Sequence, residues 1–313
     1  NWLMSLAGER AWEPYLAAYL EEVDDSTAAR CNTLAARVAL GRVDGLAEAV
    51  TETYLSPRSL PPACDPAFDW LRSQGRLTAD LIERRARLAL PAGEAGLARY
   101  LARSLPAERV APIEQWAALI ENPRASIETL IEQPSRSVEP AALLDGWWRF
   151  ARADAEAAAD RFPAFVQARG LDARAASPYA LAVAQALSWS RLPRSLEFFA
   201  LGHPEDFDER AHEWHVRAAL WARDWARVRQ AVAAMPEALR SQSRWRYWAA
   251  RTDEALGDRD AARAGYAAVV PTDNWYAVHA AARLGQRFAP TLEPLPRNEA
   301  ELTRVAAPTR VRC

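Results

Sequence analysis

One stretch constrains the fold more than any other: RWRYWAARTDEALGDRDAARAGYAAVVPTDNWYAVHAAARLG, from Arg244 to Gly285. At helical spacing, Trp245, Trp248, Ala249, Thr252, Ala255 and Leu256 form one apolar stripe. Gly257 and Asp258 interrupt it, because glycine reaches the left-handed conformation that closes a helix and aspartate caps the next one. A second stripe follows at Ala261, Ala262, Tyr266 and Val269. Pro271, Thr272 and Asp273 end it, and Trp275, Ala281 and Leu284 begin a third helix. A helical hairpin of this kind cannot bury its stripe alone and must stack on another.

Turn pairs of the same kind occur at Gly8-Glu9, Gly41-Arg42, Gly93-Glu94, Arg223-Asp224 and Gly257-Asp258. Their intervals are 33, 52, 130 and 34 residues, so a period near 34 is kept at the two ends and lost between them. An aromatic-rich helix, a small-residue turn and an Ala-x-x-x-aromatic helix at that period outline a divergent tetratricopeptide-like hairpin. The rest of the chain reads as helices with short connections: Ala11 to Glu22, Ser26 to Leu40 behind an Asp24, Asp25, Ser26 cap, Gly45 to Leu55 capped by Asp44, and a helix with Phe68, Trp70 and Leu71 opened by Asp65 and Pro66. Thr78 to Leu90, Glu94 to Leu105, Glu108 to Ile120, Arg124 to Glu132, Pro140 to Ala153 and Ala155 to Ala168 follow. Pro178 to Ser190, Pro193 to Leu201, Glu209 to Ala222 and Asp224 to Met235 complete the series. Only 12 of 313 residues are glycine, alanine and leucine dominate, and no segment alternates as a strand does. The expectation is all-α: a curved α-solenoid superhelix of stacked hairpins over residues 1–288. Residues 289–313 follow as a proline-rich linker, with Glu299 to Val305 able to restart a helix.

All 39 basic residues are arginine, a bias of composition that says little about function, and the net charge of −2 argues against a protein held to nucleic acid mainly by phosphate contacts. No apolar run reaches the roughly eighteen residues of a membrane span. The opening NWLMSLAGERAW has neither the basic start nor the cleavage site of a secretory leader, and reads as the middle of a helix. Three cysteines stand at 31, 64 and 313. A disulfide between Cys31 and Cys64 would close a loop of about 34 residues and contribute on the order of 4 kcal/mol, while two buried free thiols carry nearly equal weight on spacing alone.

No cofactor or metal site is expected. His212, Glu213, Trp214 and His215 have two histidines three apart instead of the four a metalloprotease helix needs, and no third ligand is in view, so surface or cap histidines are the better reading. His203 before Pro204 and His279 among alanines are read as structural. Acidic side chains sit three or four residues from arginines, as Glu83 does from Arg87, which is the pattern of a solvated helix face. There is no Gly-rich phosphate loop, no G-x-S-x-G elbow and no Cys-x-x-Cys. In Arg244, Trp245, Arg246, Tyr247, Trp248 cations alternate with rings that can stack on a sugar or base, but helix core with exposed arginines is preferred, since Trp245 and Trp248 share a face.

Several segments resemble soluble lytic murein transglycosylases. They are Cys31-Asn32 before an Ala-rich helix, the run from Tyr54 to Asp65 (YLSPRSLPPACD), Trp70 to Gly75 (WLRSQG), Arg85 to Ala89, Ala92 to Leu97, Arg244 to Trp248, and Trp275 to Ala277 with Ala281 to Gly285. The resemblance covers most of the chain in order and is weak from Glu108 to Phe207. It implies the U-shaped N-terminal superhelix of that family, a periplasmic location and a Cys31 to Cys64 disulfide. The family cleaves the glycan strands of peptidoglycan with a glutamate in a C-terminal domain, usually within an Ala-Arg-Gln-Glu-Ser-like helix. No Glu-Ser pair occurs in these 313 residues, so no catalytic residue is carried over. The expectation is a non-catalytic scaffold, inactive alone, that meets glycan strands through the full-length enzyme. Arg244, Arg246 and Tyr247 then become candidates for docking a missing catalytic domain. A stand-alone tetratricopeptide-like adaptor for a protein ligand is the alternative.

Overall fold

The computed structural model describes residues 2–19, 26–291 and 298. Among them every regular element is helical, and the all-α solenoid of stacked hairpins is what the chain forms. Two compact units divide at residue 206. The first holds α1 (Trp2–Gly8), α2 (Trp12–Ala18), α3 (Thr27–Ala39), α4 (Leu46–Tyr54), α5 (Asp65–Ser73), α6 (Ala79–Ala89) and α7 (Ala95–Ala102). It continues with α8 (Ala107–Glu121), α9 (Pro123–Glu132), α10 (Pro140–Ala153), α11 (Ala155–Ala168), α12 (Ala173–Trp189) and α13 (Ser195–Phe199). The second unit holds α14 (Glu209–Trp221), α15 (Trp225–Ala233), α16 (Glu237–Arg240), α17 (Ser243–Ala255), α18 (Arg259–Val269) and α19 (Trp275–Arg283). The Asp24-Asp25 part of the first cap, Leu292 to Arg297 of the linker, the Glu299 to Val305 helix and Cys313 lie outside the described residues.

The substantial helix contacts all join elements no more than two apart in the chain, such as α6 with α7, α8 with α10, α10 with α12 and α17 with α19. That is the quasi-one-dimensional packing of a repeat array. Small residues set the closest approaches. A Cβ on Gly146 of α10 would lie 2.5 Å from Leu119 of α8, and one on Gly265 of α18 would lie 2.7 Å from the Ala250 Cβ of α17. The core of the first unit centres on Trp147, which is fully buried, stacks on Phe165 at 4.2 Å and donates its indole N–H to the Tyr179 carbonyl at 3.0 Å. Helix α12 is buried on every side from Tyr179 to Ser188, as a helix apolar all round must be.

Gly257 takes φ +89° and the Asp258 carboxylate accepts from the Ala261 N–H at 3.1 Å, so this turn closes one helix and caps the next. Asp224 does the same for Arg227, and Ser26 and Thr78 cap α3 and α6. Other expectations are corrected. Gly45, at φ +62°, is the N-cap of α4 and Asp44 caps nothing with its side chain. Asp65 is already helical, because a 3-10 turn over Pro62–Cys64 runs into α5. Helix α12 begins five residues before Pro178: Asp172 caps it through the Ala175 N–H at 2.8 Å, and proline sits inside. In α17 the buried set is Trp245, Tyr247, Ala250 and Thr252, whereas Leu256 is 44% exposed and Ala255 is also exposed. A helix sandwiched between α15 and α18 buries two faces, which a single-stripe pattern does not express.

Charged pairs also report the stacking. Besides the expected Glu83–Arg87 pair within a helix, arginines reach carboxylates about one hairpin away: Arg109 to Asp80, Arg124 to Asp154, Arg161 to Glu128 and Arg194 to Asp160, at separations of 29, 30, 33 and 34 residues. The period that glycine turns lose between Gly93 and Arg223 is kept by these ladders.

Candidate functional site

In the second unit, α17 brings Arg244 to Trp248 into the centre of a three-helix packing. Tyr247 is buried, with its ring 5.7 Å from both Tyr266 and Tyr276 and 6.3 Å from His279. It is a core residue, so of the three docking candidates only Arg244 and Arg246 reach solvent, each in part. The Arg246 guanidinium makes no hydrogen bond or ion pair among the described residues. Arg244 lies 4.9 Å over the Trp245 ring and pairs with Glu213 of α14, which also accepts from Arg217 at 3.0 Å. The sequence had marked Trp245 as core, and it is 2% exposed.

One step outward, the rings form a pocket of about 450 Å³. Trp221, Trp225, Trp245, Trp248 and Tyr276 make its walls, together with Leu220 and the guanidinium-bearing Arg217, Arg223 and Arg244. The Arg251 guanidinium lies over the Trp225 ring at 5.3 Å. Two of the three arginines share one carboxylate, Glu213, and Arg223 has no ion pair among the described residues, so the pocket carries excess positive charge. Apart from guanidinium and indole donors, the lining offers only the Tyr276 phenol. It is equipped to hold a ring face and an acceptor group by stacking and charge. It has no acid and base pair with which to transfer protons. Trp221, Trp225 and Arg217 are not singled out by the sequence, which marks Arg223 only as a turn residue and Tyr276 only within the family resemblance. The available signal was density: six of the 13 tryptophans fall between Trp214 and Trp275.

The histidine cluster has another role. His212 and His215 pack around Phe207 at 5.1 and 5.8 Å between ring centres. Burial lowers both their pKa values, that of His215 to about 4, with the neighbouring His212 and Arg227 charges adding to the effect. They are interior rings, not the surface or cap pair expected, because α14 turns this face onto Phe207. Among the described residues no group of three or more His, Cys, Asp or Glu is placed to hold a metal. His279 packs against Trp275 with ring centres 3.9 Å apart and planes tilted by 57°, and Trp275 itself, expected at a helix start within the core pattern, is 63% exposed. In the first unit Cys31 and Cys64 form a disulfide with their Cα atoms 4.5 Å apart, both fully buried, which ties α3 to the turn before α5.

No family model matches the chain. Two proteins named soluble lytic murein transglycosylase, from Salmonella typhimurium and Escherichia coli K12, are 26% and 25% identical to it over 98% of its length. The chain spans about half of these relatives, 48% of each. The solved 70-kDa soluble lytic transglycosylase of Escherichia coli shares its fold at TM-score 0.77 and 24% identity, over 95% of this chain and 48% of that one. The lytic transglycosylase Slt of Pseudomonas aeruginosa, solved as an inactive mutant, does so at 0.74 and 24%, over 98% and 50%. The chain thus matches the N-terminal region of soluble lytic murein transglycosylases, and their catalytic domain lies outside the match.

Proposed function

We propose that this chain is the non-catalytic superhelical scaffold of a periplasmic lytic transglycosylase that cleaves peptidoglycan glycan strands. Residues 1–288 form the superhelical part, and Arg244 and Arg246 lie at a surface that docks the catalytic half. The observation that carries this reading is likeness along 98% of the chain to enzymes of about twice its length. The buried disulfide supports it, since such bonds persist in oxidising compartments. The same bond weighs against the cytosolic adaptor alternative.

A chimaera tests the proposal: residues 1–288 of this chain joined to the catalytic half of the Escherichia coli relative, incubated with purified murein. The chimaera should release anhydro-muropeptides and the 313-residue chain alone should not. Release by the chain alone would refute the scaffold reading. Thiol titration of the denatured, unreduced protein should find one reactive thiol of three, and three would refute the oxidised location.

A further inference from the structure

Arg85 on α6 is the one buried arginine among the described residues, 6% exposed, and no carboxylate pairs with it. One amino group donates to the Arg58 carbonyl at 3.3 Å. Its guanidinium lies 4.6 Å over the Tyr54 ring and 5.7 Å over that of Phe68, and its Nε is buried with no partner. Two residues on, Arg87 pairs with Glu139 and with Glu83, which Arg109 shares, so the neighbourhood is not short of acids. A buried cation without a counter-ion is a net cost to folding that ring faces only partly offset, and burial holds the Arg85 pKa below its ordinary value. Arg58, whose carbonyl accepts from it, is exposed, and the other polar group beside the guanidinium is the uncharged Tyr54 hydroxyl.

Arg85 lines a cavity of about 700 Å³ whose apolar walls include Tyr54, Phe68, Leu97 and Tyr100. Tyr100, on the same lining, is 64% exposed and so presents its ring to whatever enters. Asp65 and Asp69 stand on the same lining, Asp69 paired with Arg72. We propose that this cavity binds the C-terminal carboxylate of a short peptide, with the carboxylate on Arg85 and an apolar side chain against Tyr54, Phe68 and Tyr100. An uncharged sugar would leave Arg85 without a counter-ion. A dianion such as phosphate would be opposed by the two aspartates, whereas a single carboxylate supplies the two in-plane oxygens a guanidinium takes best. The site is separate from the aromatic pocket and does not depend on the scaffold reading.

The test is calorimetric titration of the 313-residue chain with acetyl-Ala-Ala-Phe and with its C-terminal amide. The acid should bind about tenfold more tightly or better, since the amide forfeits the charge-assisted pair. Arg85→Met should abolish that preference and leave the melting temperature unchanged or higher, which a purely structural arginine would not do. Tyr100→Ser should weaken the acid several-fold without altering the melting temperature, and decides the matter if Arg85→Met fails to fold. Equal binding of acid and amide, no binding of either, displacement of the acid as readily by inorganic phosphate as by acetate, or full binding by Arg85→Met would each overturn the assignment.

Discussion

Reducing the Cys31–Cys64 bond should cost the first unit most of the stability a cross-link of its span can supply. The two residues are 33 apart in sequence, so the closed loop has about 34 residues. The chain-entropy relation then gives a loss of ~13 cal/mol/K in the unfolded ensemble, or about 3.8 kcal/mol at 25 °C. Both sulfurs are fully buried, so the reduced thiols stay in an apolar site and add little of their own. For a unit of this size, about 2–4 °C per kcal/mol converts the loss to about 8–15 °C in midpoint. The measurement is thermal unfolding followed by circular dichroism, with and without dithiothreitol, and with Cys31→Ala/Cys64→Ala as the reductant-insensitive control. Because neighbouring hairpins supply each other's core, unfolding need not be all-or-none. Hydrogen exchange should therefore place the loss in α3 to α5, leaving α17 to α19 protected. A reductant shift under about 2 °C, or a loss spread evenly over both units, would refute the reasoning.

Three further outcomes follow from the packing. Gly265→Val drives a methyl-bearing carbon into Ala250 and should cost about 2–3 kcal/mol by denaturant unfolding. Adding Ala250→Gly should recover part of that, despite its own helix penalty of about 1 kcal/mol. His215 is held neutral, with its pKa lowered to about 4 by burial, so the unfolded chain binds the extra proton. Its contribution is complete above the unfolded value near 6.5 and is lost as pH falls from there through about 4, by a little over ~3 kcal/mol in all. His215→Gln should flatten that slope in unfolding curves taken at pH 7.5 and 4.5, and an unchanged slope would count against it. Arg223 sits at φ +55°, where Gly257 serves in the next hairpin, so Arg223→Gly should raise stability by roughly 0.5–1 kcal/mol. A fall would mean that its side chain contributes more than the backbone conformation costs.

The helical rhythm was legible because a solenoid is built from local contacts, and its punctuation at Ser26, Thr78, Asp224 and Gly257 is chemistry of single residues. What stayed hidden was whatever depends on a neighbouring repeat. Tyr247 and Ala250 look like the polar-side flank of a stripe until α18 and α19 cover them. Pro178 looks like a helix start until Asp172 is seen capping five residues of helix before it. The candidate pocket was half legible for the same reason. Arg244 to Trp248 announced rings and cations, but the opposite wall is Trp221 and Trp225, and Tyr276 completes it one hairpin later. Arg244 meets Glu213 at a separation of 31 residues, and Asn274 meets Ser243 at the same separation. Similar separations recur in the first unit at Arg174 with Asp206 and at the Trp147 contact with Tyr179, 32 residues in each case. An exposed ion pair of this kind contributes little stability. Repeated at separations of 29 to 34 residues, however, such pairs favour a single stacking register over a slipped one, because a shift of one helical turn would set arginines against apolar walls. In a divergent array the repeat therefore survives less in its glycines than in which residues, some thirty apart, can satisfy each other's charge.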